Sequence, residues 1–228
     1  MSGALKNVIG IAASYAFVFC VIASATFLMK RGVLPPPAAR KVIHIGVAHW
    51  WLIAMATMDD PWVASIGPAS FIVINTLAIR FRLLAAMDQG ADARNWGTVY
   101  FPISLLVLVN LCWRGVLPVW VGGLAVLVLG WGDGLASLVG EGNGAQGMRI
   151  WGGRKSAAGT AVMFGASFAV TLAFTLIFSR RFGALLPAVG VSAVVAIVAS
   201  IVELFTPLGI DNITVPLLTA ALYAGAFA

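Results

Sequence analysis

The sequence predicts an all-α, polytopic integral membrane helical bundle of about eight transmembrane helices, with seven as the alternative count. Three observations carry this expectation. The 228-residue chain is 61% hydrophobic and only 10% charged, far more apolar than a soluble domain of that length needs to be. Its apolar runs are too long and too clean for buried core helices. They also lack the period-two alternation of a membrane barrel.

The runs cover 5–29, 42–58, 61–80, 97–113, 116–138, 156–179, 183–202 and 211–227. The first begins within a few residues of Met1 and is longer than a signal-peptide core. It has no Ala-x-Ala-like exit before Lys30-Arg31, so it is expected to be retained as a span. The second and fourth runs are near the lower limit for crossing the hydrocarbon. The connecting segments are too short to hold a separate soluble domain, so residues 1–228 are expected to form one transmembrane unit. Cys20 and Cys112 fall inside apolar runs, with neither a disulfide framework nor metal-ligand spacing. Gly122-Gly123 and Gly183 could line helix contacts, including those of a homodimer.

The net charge of +6 reads as topology, with no nucleic acid implied. With eight spans, the first, third, fifth and seventh loops hold Lys30, Arg31, Arg40, Lys41, Arg80, Arg82, Arg94, Arg149, Arg154 and Lys155. The opposite side holds only Lys6, Arg114, Arg180 and Arg181. The positive-inside rule then places the odd loops in the cytoplasm and both termini outside a cell (inner) membrane. Apart from Asp59 and Asp60, every acidic residue lies in or beside a cytoplasmic loop in this arrangement. Segments a hundred residues apart therefore deliver polar ends to one membrane face, as an interfacial active site requires.

Asp133 stands out among these polar residues. It lies in the last third of the fifth run, within Gly130-Trp131-Gly132-Asp133-Gly134, where an acid costs roughly 2.5–3.5 kcal/mol on insertion scales. Its glycine neighbours let a helix unwind or another backbone approach, and its carboxylate suits Mg²⁺ together with phosphate oxygens. The alternative is an acid paired with lysine for packing. A glycine-rich basic loop follows and ends in Arg154-Lys155-Ser156, with Gly159-Thr160 just inside the next run. This is not a Walker A loop, which would need glycine in place of Arg154. A helix start there still attracts anions.

Arg40, Lys41 and His44 share one helix face at the start of the second run. They could contact a phosphate, or serve as a positive-inside anchor with a structural imidazole. His49, about 140° further round and beside Trp50 and Trp51, reads as structural. Arg94 and Thr98 could contact an anion, while Trp96 and Tyr100 are ordinary interface aromatics. Glu203 closes the seventh run, and Asp211 and Asn212 open the eighth. Asp211 could be a helix cap; otherwise these acids offer further metal ligands or a base for a substrate hydroxyl.

Taken together, Arg40-Lys41 with His44, Gly132-Asp133-Gly134, Lys155-Ser156 with Gly159-Thr160, and Glu203 with Asp211-Asn212-Ile213-Thr214-Val215-Pro216 resemble the polyprenol kinase family. That family includes dolichol, phytol and farnesol kinases and a CTP-dependent diacylglycerol kinase, and is similar to membrane CDP-diacylglycerol synthases. The resemblance implies phosphoryl transfer from a nucleoside triphosphate, usually CTP, to the hydroxyl of an isoprenoid alcohol or diacylglycerol. It also implies that Arg40, Lys41, Asp133 and the Lys155 segment are needed for activity.

The expected mechanism is in-line attack at the cytoplasmic face. Asp133 would hold Mg²⁺, with Glu203 or Asp211 as second ligand or base. Arg40, Lys41, Arg154 and Lys155 would clamp the triphosphate. His44, Arg94, Thr98, Ser156, Gly159, Thr160 and Asn212 complete the expected nucleotide site. Two other readings compete: a cytidylyltransferase acting on phosphatidate or a prenyl phosphate, and a small lipid or ion transporter. The latter would predict polar residues on both faces and repeat symmetry, which the sequence does not show.

Overall fold

The computed structural model describes residues 2–81, 96–142, 148–150, 153–179 and 185–226, with the backbone alone for 141–142, 148–150 and 153–154. The helices are α1 (Gly3–Lys30), α2 (Pro36–Ala48), α3 (Trp50–Thr57), α4 (Pro61–Arg80), α5 (Gly97–Trp113), α6 (Val119–Gly142), α7 (Ala157–Phe178), α8 (Leu185–Phe205) and α9 (Asp211–Gly225). Five of them, α1, α4, α6, α7 and α8, are long and apolar enough to cross a membrane. The chain is a multi-pass membrane helical bundle.

Local chemistry sets the helix ends. Asp60 caps α4 by accepting from the backbone N–H of Trp62 and Val63 at 2.8 and 3.0 Å, with Pro61 at the first helical position. Its neighbour Asp59 accepts from the Asn7 side-chain amide at 2.6 Å, which ties the start of α1 to the turn before α4. The two acids that the sequence reading sets apart from the polar face thus have structural tasks. α1 and α5 both end on a left-handed glycine, Gly32 (φ 72°) and Gly115 (φ 79°). In each case the N–H of the next residue reaches back to close a Schellman motif.

The structure departs from the expected run 42–58 in two ways. The helix starts earlier, at Pro36, and is interrupted at His49, so that α2 and α3 are separate pieces. His49 causes the break. Its Nδ1–H donates to the Ile45 carbonyl at 2.8 Å, taking the acceptor its own backbone N–H would use in a continuous helix. That N–H turns to Gly46 instead. Nε2 of the same ring accepts from the Trp131 indole at 3.1 Å, so the imidazole is a structural joint between α2 and α6. A second departure is a short antiparallel pair, β1 (Met148–Ile150) with β2 (Gly153–Lys155), in the glycine-rich loop.

α6 is the central mast. It packs on α2, α3, α5, α7 and α9, and the residues from Val121 to Gly130 are all buried, as expected for a helix apolar on every side. Its glycines set how close the neighbours come. A Cβ on Gly122 would meet the Trp51 ring, one on Gly130 the Ala48 side chain, one on Gly132 the Met163 sulfur, and one on Gly134 the Ile45 side chain. Gly122 and Gly123 are therefore taken up by packing within the chain and offer no dimer surface; Gly183 lies outside the described residues. The glycines around Asp133 do not unwind α6. They let α2 and α7 press against it at the level of the acid.

This packing makes a contrast measurable. Gly134→Val should destabilise the protein by about 1–3 kcal/mol, because its side chain has no room against Ile45. Gly165→Ala faces open space and should leave stability unchanged or raise it slightly. Thermal unfolding of both variants in the same detergent tests the pair.

Candidate active site

Six of the residues predicted from separate stretches of sequence meet at one place. α2 carries Lys41 and His44, α6 carries Asp133, β2 ends on Lys155, α8 nearly ends on Glu203, and α9 begins with Asp211. The three carboxylates are almost wholly buried, at 4%, 4% and 8% exposure for Asp133, Glu203 and Asp211. Each offers an oxygen, and these oxygens all lie within 4.8 Å of one another.

Two ammonium groups offset them. Lys41 Nζ donates to Asp133 Oδ2 at 2.9 Å. Lys155 Nζ donates to Glu203 Oε1 and stands 3.9 Å from Asp211 Oδ2. These pairs join residues that lie 92 and 48 positions apart in the chain. Buried carboxylates at such separations repel unless cations or metal lie between them. The described ion pairs set two positive charges against three negative ones. Three hard oxygen donors from three helices are also what a Mg²⁺-sized cation accepts alongside phosphate oxygens.

Smaller groups orient the acids. Asn212 donates its backbone N–H to Asp211 Oδ1 at 3.0 Å and its side-chain amide to the same oxygen at 3.1 Å. That amide also reaches the Gly209 carbonyl. Asp211 is therefore the first residue of α9 rather than its cap; the cap position is Ile210, which has no capping side chain. The turn leading in is tight, with Leu208 and Gly209 both left-handed at φ 60° and 81°. Ser137, one helical turn after Asp133, points its hydroxyl at Asp133 Oδ1 from 3.5 Å. The sequence reading missed Ser137, although its i+4 spacing was the available signal.

Ser156, Gly159, Thr160 and Thr98 have local tasks in the structure. Ser156 caps α7, its hydroxyl accepting from the Gly159 N–H at 3.1 Å. Thr160 bonds back to the Ser156 carbonyl. Gly159 lets α7 approach α6 so closely that a Cβ would sit 3.0 Å from the Ala136 carbonyl oxygen. Thr98 stands on the first turn of α5, where its carbonyl accepts from Asn75 of α4 at 2.7 Å. Arg40 lies beside Lys41 on α2. Arg154 is described by its backbone within β2 only, and Arg94 lies outside the described residues.

Among curated proteins, the chain is 34% identical over 220 residues to a phytol kinase of Synechocystis sp.. The alignment covers 96% of this chain and 91% of that relative. No family model matches the chain, and no solved structure matches it.

The buried pairing carries a stability test. Lys155→Met leaves the Glu203 carboxylate buried without its ammonium partner and should destabilise the fold by about 3–5 kcal/mol. Adding Glu203→Leu should restore much of the loss, since removing both members of a buried pair is often near neutral. A double-mutant cycle on unfolding in detergent checks this, and independent, additive losses would refute the pairing.

Proposed function

The chain belongs to the polyprenol and phytol kinase family, and from that footing we propose that it moves the terminal phosphate of CTP to the hydroxyl of a phytol-type isoprenoid alcohol. The observation that carries this reading is the similarity to a phytol kinase over nearly the whole chain. The buried carboxylate and lysine cluster supports it, because phosphoryl transfer needs positioning and charge neutralisation more than covalent chemistry.

In this reading the alcohol oxygen attacks the γ-phosphorus. An O–P bond forms while the bond from γ-phosphorus to the bridging oxygen breaks, which leaves CDP. The hydroxyl proton passes to a carboxylate, Glu203 or Asp211. Lys41 and Lys155 already stand at the cluster, and with Arg40 and Arg154 they neutralise the triphosphate. Asp133, together with whichever of Glu203 and Asp211 does not take the proton, would hold Mg²⁺, which would supply positive charge to the phosphate. The N-terminal amides of α7 behind Ser156 add fixed positive dipoles on the nucleotide side.

The excess of Lys and Arg in the odd loops supports a site at the cytoplasmic face of the inner membrane, with both termini outside. The nucleotide reaches the site from water and the alcohol from the bilayer, so the lipid never has to leave its solvent.

Purified protein in lipid should transfer radiolabel from γ-labelled CTP, more readily than from ATP, to phytol or farnesol, and less so to diacylglycerol. Chelating Mg²⁺ should stop the reaction. Asp133→Asn, with folding checked by its chromatographic profile, should lose about 100-fold or more in kcat. Near-normal turnover would remove Asp133 from the mechanism. Pyrophosphate release from CTP with phosphatidate or a prenyl phosphate, and no label in any alcohol, would replace the kinase reading with cytidylyltransfer.

A further inference from the structure

The cluster contains one polar group that the proposed reaction leaves unused. His44 Nε2 is buried and has no hydrogen-bond partner among the described residues. The nearest acid atom, Asp133 Oδ2, is 3.7 Å away, too far for a hydrogen bond, and that oxygen already accepts from Lys41. A buried imidazole nitrogen without a partner is unfavourable as it stands, and becomes favourable when a ligand satisfies it. Its surroundings indicate which ligand. The ring lies against Phe101 of α5, centroids 4.9 Å apart, so one side of the nitrogen's setting is apolar and the other is the carboxylate cluster. α2 and α5 both pack on α6 and scarcely on each other, and the His44–Phe101 contact lies between them.

Lys41, on the same Asp133 oxygen, is the group that meets the triphosphate; the imidazole nitrogen, set against the Phe101 ring, carries no such charge for an anion. A long-chain alcohol suits it well. Such a molecule has a single polar group, which needs one buried partner at the edge of the cluster and an apolar approach for its chain. Asp133, Glu203 and Asp211 are all paired with lysines; His44 Nε2 has no hydrogen bond among the described residues. We propose that His44 binds the acceptor: the alcohol hydroxyl donates a hydrogen bond to Nε2, and its chain enters between α2 and α5 past Phe101. The oxygen lone pairs then face the γ-phosphate, and the hydroxyl turns its proton from Nε2 to Glu203 or Asp211 as the O–P bond forms. This assignment rests on the kinase reading and moves His44 from the nucleotide side of the site to the lipid side.

Kinetics separate the two sides. His44→Leu should cut kcat/KM for phytol by about tenfold or more, the loss expected for one hydrogen bond to a buried partner. Directly measured CTP affinity should stay within about twofold, and His44→Gln, which keeps a polar atom at the same reach, should recover part of the loss. Weakened CTP binding with an unchanged KM for phytol would return the imidazole to the triphosphate and overturn the proposal. Phosphotransfer by the His44→Leu variant at the wild-type rate would also overturn it, while leaving the kinase reading standing. Absence of transfer by the wild type would bring down the kinase reading itself. A second experiment does not depend on turnover or on the variants folding. A farnesol analogue with a diazirine near its hydroxyl, cross-linked to the wild-type protein, should label α2 and α5 around His44 and Phe101. Label confined to α8 and α9 would refute the site.

Discussion

The constraint on which the rest of the structure depends is the gathering of three carboxylates inside a membrane bundle. One buried acid in a helix is costly, and three with oxygens within 4.8 Å of each other would repel beyond what hydrocarbon packing can offset. The fold answers with Lys41 and Lys155, brought from α2 and from the end of β2. This requirement accounts for features that look arbitrary one at a time. α2 must lie alongside α6 for Lys41 to reach Asp133. β2 must end against the bundle for Lys155 to reach Glu203. The turn before α9 must be tight enough to present Asp211 at its first residue.

Close packing makes these reaches possible. Lysine can span only a few ångströms beyond its own helix, so the helix axes on either side of Asp133 must be close. Gly130 and Gly134 face α2, and Gly132 faces α7. The alternating glycines thus serve two neighbours at once, with Asp133 on the same short segment. Gly159 answers from α7 with its own close approach to the Ala136 carbonyl. A side chain at any of these positions would separate the helices and, with them, the acids from their counter-charges. Packing and electrostatics are therefore one property of the α6 sequence.

The helical class and every helix except the α2–α3 pair were legible from apolar runs alone, because length and hydropathy are local properties. The charged members of the cluster were legible too, since a charge in or beside a membrane segment needs a reason to be there. The pairing was not: nothing local says that Lys41 seeks Asp133, 92 residues away. The break at His49 was hidden because the residues on either side are equally apolar, and only the ring's bond to Ile45 interrupts the ladder. The strands Met148–Ile150 and Gly153–Lys155 are too short to show any alternation. Ser156, Gly159 and Thr160 have the chemistry of ligand contacts, and each also has a task at the start of α7. Small polar residues at a helix start satisfy the backbone in the same way whether or not an anion is near.

The depth of the acids within their own helices bears on how such a site could work. Asp211 is the first residue of α9 and Glu203 lies two residues from the end of α8, so both stand where a helix meets the interface. Asp133 is nine residues from the end of α6, about 14 Å along its axis. For all three to meet, α6 must extend well past the ends of its neighbours, and the level of the cluster is that of the shorter helices. A site at that level has two kinds of wall. On one side are the end of α8, the start of α9 and Lys155 at the end of β2. On the other are α2 and α5, where His44 meets the Phe101 ring. An enzyme that joins a phosphate from water to an alcohol from lipid needs such a boundary at its reacting atoms. A long central helix among shorter ones provides it without opening the bundle.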